Sequence, residues 1–146
     1  MQITKSIEWD MGHRIPNHKS KCKNPHGHRY HLEVTVEGNL NTKTGASNQG
    51  MVVDFSDLKL ILQQYIHDVC DHGFMYWQQD TQMSQLFSAN PDFKSICVDF
   101  IPTAECISQW IYSLLKTELK KKYKNILSLK KVQLWETPTS SATISE

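Results

Sequence analysis

The stretch that most restricts the fold is residues 26–38, HGHRYHLEVTVEG. From Arg29 onward, Tyr30, Leu32, Val34 and Val36 alternate with His31, Glu33, Thr35 and Glu37, and Gly38 closes the run. A period of two with one apolar set marks a half-buried strand, predicted over 29–38. Its apolar face must be covered by another layer. At the mouth of this strand His26 and His28 stand at i and i+2, so on extended chain both imidazoles leave by the same face. Two same-face imidazoles around a glycine suggest a metal ion. Cys22, just upstream in the same stretch, suggests that the metal does chemistry.

Other segments supply the covering layer and the strand's partners. ITKSIEWDM (3–11) alternates in part and reads as a first strand. NLNTKTGASNQGM (39–51) is rich in turn formers and reads as a loop. Asp54 is a candidate N-cap for a helix whose apolar stripe is Leu58, Ile61, Leu62, Tyr65, Ile66 and Val69. A second helix opens at PTAE (102–105), with Thr103 as its N-cap. It carries the stripe Ala104, Ile107, Trp110, Ile111, Leu114, Leu115 and Leu119, and the cations of KKKYK (120–124) suit its C-terminal end. KKVQLWET (130–137) and SSATISE (140–146) read as two more strands around a turn at Pro138. Between 73 and 101 the pattern is weaker: YWQQDTQMSQLF suits a short helix and SICVDFI a short strand. The sum is a single α+β domain over 1–146, with an antiparallel sheet and helices on one side.

Bulk properties exclude several classes. Sixteen basic residues against fifteen acidic give a formal charge of +1, which offers no general attraction to nucleic acid or membrane. No apolar run is long enough to span a bilayer and no signal-peptide pattern opens the chain, so the expected compartment is the cytoplasm. None of the four cysteines forms a C-x-x-C pair, which argues against a thiolate zinc knuckle. Five of the seven histidines fall within the first 31 residues.

A catalytic zinc site usually has three protein ligands and one open position. His26 and His28 supply two, and His13, just beyond the first strand, is the best third. His18 lies in a polar loop, and His31 faces away from His28. The plainer reading of these histidines is surface hydrogen bonding, and His67 is assigned to it. A lone cysteine is more often a small buried apolar residue. Cys22, however, sits among Lys19, Lys21 and Lys23, and nearby cations favour the thiolate. In CDHGF (70–74), Asp71 beside His72 either orients a basic imidazole or merely ends a helix. Glu136, at the end of an apolar strand, is either solvated or aimed at a ligand. Its carboxylate can accept two parallel N–H bonds from an amidine-like edge.

Taken in order, His13, C-x-x-x-H-G-H (22–28), G-M-V-x-D-F (50–55), Asp71-His72, P-T-A-E (102–105) and W-E-T (135–137) resemble the 6-pyruvoyltetrahydropterin synthase / 6-carboxytetrahydropterin synthase family. The resemblance runs from about residue 3 to 145. It implies a T-fold: a four-stranded antiparallel sheet with two helices packed on one face, assembling into trimers whose sheets form a barrel and then into hexamers. It implies zinc on His13, His26 and His28, Cys22 as general base, and Asp71-His72 completing proton transfer. It also implies Glu136 as a catalytic residue that holds the pterin ring and joins the charge relay, with Thr103 and Glu105 near the pterin pocket. The implied substrate is 7,8-dihydroneopterin triphosphate, with Lys19, Lys21, Lys23 and Arg29 as candidates for its phosphates. The short C-x-x-x-H-G-H spacing, GMVVDF and ETPTSSA favour the 6-carboxytetrahydropterin synthase branch, toward queuosine and related 7-deazaguanines. The alternatives are 6-pyruvoyltetrahydropterin synthase and a non-catalytic, zinc-stabilised binding protein of the same fold.

Overall fold

The structure, a computed structural model, describes residues 1–146. Its centre is the predicted strand and its first neighbour. β1 (Gln2–His13) and β2 (His26–Gly38) run antiparallel, from Gln2 opposite Glu37 to His13 opposite His26. β5 (Leu127–Thr137) pairs antiparallel with the other edge of β2, and β6 (Ser140–Ser145) with β5. These four are the strands expected from the sequence.

The sheet is larger than four strands. β3 (Gly73–Trp77) pairs parallel with the end of β1, and β4 (Ser95–Val98) pairs parallel with β3. The order is β4-β3-β1-β2-β5-β6, so the sheet is mixed and has six strands. Both added strands are short and lack clean alternation, which is why periodicity did not find β3.

Two helices cover the apolar face. α1 (Phe55–Leu62) starts where Asp54 accepts the Ser56 N–H at 2.7 Å. α4 (Ala104–Tyr123) starts where Thr103 Oγ1 accepts the Cys106 N–H at 3.3 Å. Leu32, Val34 and Leu134 from the sheet meet Leu58 and Leu62 of α1 and Ile107, Ile111 and Leu115 of α4, all fully buried. α1 continues through a π-turn at Gln63–His67 into a last short turn, α2 (Asp68–Cys70). The wider π-turn rotates the stripe. Cys70 is buried and Val69 is exposed, the reverse of the expectation from a 3.6-residue period.

A third helix, α3 (Thr81–Ala89), breaks the one-sided arrangement. Its Phe87 packs on Phe74 and Tyr76, with ring centroids 5.6 and 5.1 Å apart. Those residues leave β3 on the face opposite Met75, which belongs to the main core. The segment 73–101 therefore lays a helix against the other side of the sheet, beside the end of β1. The layered core makes a direct prediction. Leu32→Ala, in the central strand, should destabilise the protein by about 2–5 kcal/mol, read as a shift of the urea midpoint at unchanged slope. A shift worth well under 1 kcal/mol would mean that β2 is not the centre of the core.

Candidate metal centre

The antiparallel register that sets His13 opposite His26 and Met11 opposite His28 puts all three imidazoles on the helix-covered face, at one end of the sheet. Their ring centroids form a near-equilateral triangle: 4.6 Å for His13 to His26, 5.2 Å for His13 to His28 and 5.0 Å for His26 to His28. One potential ligand atom from each lies within 4.8 Å of the others.

Two rings are held by backbone carbonyls. His13 Nδ1–H donates to the Pro102 carbonyl at 2.7 Å, just before α4 begins. His26 Nδ1–H donates to the Asn24 carbonyl at 2.7 Å. A carbonyl only accepts, so in the neutral ring the lone pair lies on Nε2, the arrangement a metal ligand needs. His13 Nε2 and His28 Nε2 are buried and have no hydrogen-bond partner. Buried polar atoms are rarely left unpaired, and two in one triangle are atoms that a bound cation would satisfy. The donor set, three imidazoles, suits zinc.

Electrostatics agree with neutral rings. Burial pushes His13 down from 6.5 to about 4, opposed by its bond to Pro102 and helped by His26 and His28. Burial also lowers His28, against the raising effect of Glu136. Glu136 follows Val132 and Leu134 on the core-facing side of β5. Its Oε1 lies 3.4 Å from His13 Nε2 and 3.9 Å from His28 Nε2.

The other expected residues surround this triangle unevenly. Asp71 and His72 form a dyad, with Nδ1 to Oδ2 at 2.8 Å. The hydrogen bond from His72 holds the Asp71 carboxyl below the usual range. His72 adopts a left-handed φ of 57°, held by its N–H on the Asp10 carbonyl at 2.8 Å, while Asp71 Oδ1 accepts the Asp10 N–H at 3.1 Å. His72 and His28 line one cleft of about 910 Å³, floored by Phe74 and Phe87. A second cleft of about 680 Å³ holds His28, Glu136, Trp135 and Thr137. Cys22 is a free, half-buried thiol in a single turn, Lys21–Lys23, tied to the end of β1 by the Ile15 N–H on its carbonyl at 2.8 Å. Cys22, Thr103 and Glu105 line neither cleft. His31 turns away to Glu8 and Glu33, His18 accepts the Ser20 N–H, and His67 pairs with Gln63.

Sequence reasoning missed the Pro102 and Asn24 carbonyls, which have no side-chain signature. It also missed Arg14, whose guanidinium grips the buried Asp80 at 2.6 and 2.7 Å. Asp80 caps α3, so this pair ties the third helix to the residue after His13.

A model of the 6-pyruvoyl tetrahydropterin synthase family matches residues 2–146. The chain belongs to this family. The 6-carboxy-5,6,7,8-tetrahydropterin synthase of Haemophilus influenzae is 40% identical over 99% of both chains. The protein of the same name from Aquifex aeolicus is 32% identical over 99% of this chain and 98% of its own. Two solved structures share the fold. An uncharacterised protein of Wolinella succinogenes aligns over 100% of this chain and 98% of its own, with a TM-score of 0.81 at 23% identity. The 6-pyruvoyltetrahydropterin synthase of Plasmodium vivax aligns over 100% and 98%, with a TM-score of 0.70 at 19% identity.

For this synthase-family chain the buried triangle predicts an acid sensitivity. As pH falls from 6.5, an unfolded His13 takes up a proton that the folded ring refuses until about pH 4. Stability of the metal-free protein is thus full above pH 6.5 and declines between 6.5 and 4, by about 3 kcal/mol at most from this residue. Urea midpoints between pH 6.5 and 5 should fall less steeply in His13→Gln than in the unaltered protein. Equal slopes would contradict the burial of a neutral His13.

Proposed function

We propose that this chain is a zinc-dependent 6-carboxy-5,6,7,8-tetrahydropterin synthase, a lyase acting on 7,8-dihydroneopterin triphosphate. The observation that carries the reading is the triangle of His13, His26 and His28, with unpaired Nε2 atoms on His13 and His28. The relatives named for this activity over nearly their full length support the product, and the family resemblance implies the substrate.

His13, His26 and His28 would hold the ion. Zinc bound there supplies a Lewis acid that makes neighbouring C–H and O–H protons easier to remove. Cys22 thiolate takes one proton from the substrate side chain. His72 takes or returns another: its Nδ1–H is committed to Asp71, so Nε2 is the exchanging atom. Glu136 accepts the N–H edge of the pterin, with Thr103 and Glu105 close to the ring. Triphosphate leaves by elimination, and for the 6-carboxy product a water molecule then adds to the side chain and the bond between its two carbonyl carbons breaks, leaving the carboxylate on the ring and releasing acetaldehyde. Lys19, Lys21 and Lys23 on the exposed turn remain available to the triphosphate, whereas Arg29 is already paired with Asp10 at 2.8 Å.

The family resemblance implies a trimer, or a hexamer of two trimers, as the working unit, and the outer edges of β4 and β6 suit sheets that join between subunits. No helix is long and apolar enough to cross a membrane, and a cytoplasmic enzyme fits the chemistry.

A second reading, 6-pyruvoyltetrahydropterin synthase, is favoured by the name of the family model and of the Plasmodium neighbour. Incubating the zinc-loaded protein with dihydroneopterin triphosphate separates the two. Acetaldehyde and a 6-carboxy product are expected, whereas a retained three-carbon side chain would assign the pyruvoyl branch. Cys22→Ala should keep its zinc and lose turnover by about 10²-fold or more. Equal turnover in the two proteins would remove Cys22 from the mechanism. An absence of turnover in both would favour the non-catalytic binding protein.

A further inference from the structure

Glu136 raises a question of charge. His13 gives its Nδ1–H to Pro102, so a neutral His13 presents a lone pair at Nε2. Glu136 Oε1 lies 3.4 Å from that atom and 3.9 Å from His28 Nε2, and neither nitrogen is hydrogen-bonded to it. Two acceptors facing each other inside a protein repel unless a cation lies between them. The spacing is also that of two ligands on one ion. With bonds of about 2.0–2.1 Å to nitrogen and oxygen, the edge of a tetrahedral zinc site is about 3.3–3.4 Å. Backbone geometry directs the carboxylate there, because Glu136 is the next core-facing position of β5 after Leu134, beyond the last antiparallel partner of β2. Its side chain stays a quarter exposed and borders the second cleft, so it has room to swing out.

We propose that Glu136 is the fourth ligand of the resting metal centre and the ligand that leaves when substrate enters. The proposal rests on the three-histidine centre. The carboxylate closes the ion against water in the empty enzyme. It then gives up that position and turns to the N–H edge of the arriving pterin, so that one side chain serves the metal and the substrate in succession. Exchange of this kind couples opening of the ion to arrival of the ring.

Cobalt(II) is the probe. Unaltered protein without substrate should bind one cobalt per chain, with the intense visible bands of a four-coordinate site. Glu136→Gln should keep that stoichiometry, show weakened bands as water enters, and lose about tenfold or more in affinity against a chromophoric chelator, at least the loss typical of removing a group that only supports a ligand. In Cys22→Ala, which leaves the substrate intact, dihydroneopterin triphosphate should alter the bands. Unchanged bands and affinity in Glu136→Gln, with one cobalt still bound, overturn the fourth-ligand role alone. A sulfur-to-cobalt charge-transfer band lost in Cys22→Ala gives the position to Cys22 and overturns it as well. Bands that ignore the substrate overturn the exchange. No cobalt on the unaltered protein, or undiminished cobalt on His26→Ala, overturns the histidine centre itself.

Discussion

The pairing of β1 with β2 in the register that sets His13 opposite His26 is the constraint on which the rest depends. A slip of one residue would send every side chain of one strand to the other face. His13 would then leave the triangle, and Trp9, stacked on Tyr30 in the core, would leave with it. The same alternation that buries Tyr30, Leu32 and Val34 therefore aligns His26 and His28 above them. The register that builds the core also brings the three histidines together.

The site is polar because its surroundings are apolar. Tyr30 lies against both His13 and His28, with centroids 6.1 and 5.8 Å away, and burial raises its own hydroxyl pKa. In that setting a protonated imidazole is disfavoured and the lone pairs are buried without a hydrogen-bond partner. A divalent cation answers both conditions, since it needs neutral imidazoles and satisfies their lone pairs. The Asp71-His72 dyad is placed differently. Its ring stands exposed on the cleft wall, fixed by two backbone links to Asp10.

What the sequence disclosed follows from where its signals are strong. The alternation of β2, the stripe of α4 and the i, i+2 histidines each repeat a side-chain pattern, and each corresponds to an element or face of the structure. His13 was reachable because it ends an alternating strand. The misses are backbone features or short parallel pairings. Pro102 and Asn24 act through carbonyls that any residue carries. β3 is too short to show a period and pairs with the end of β1, and β4, foreseen as a short strand, joins the sheet only through β3. The π-turn that exchanges Val69 for Cys70 has no residue signature. α3 was foreseen as a short helix, but its place on the opposite face is set by Phe74, Tyr76 and the Arg14–Asp80 clamp, which are contacts distant in sequence.

The most direct measurement is anomalous scattering at the zinc edge from crystals of zinc-loaded protein. A single peak per chain is expected, about 2.0–2.1 Å from the Nε2 atoms of His13, His26 and His28. A peak that excludes His13, or ordered zinc only at other residues, would contradict a centre built by the register of β1 on β2.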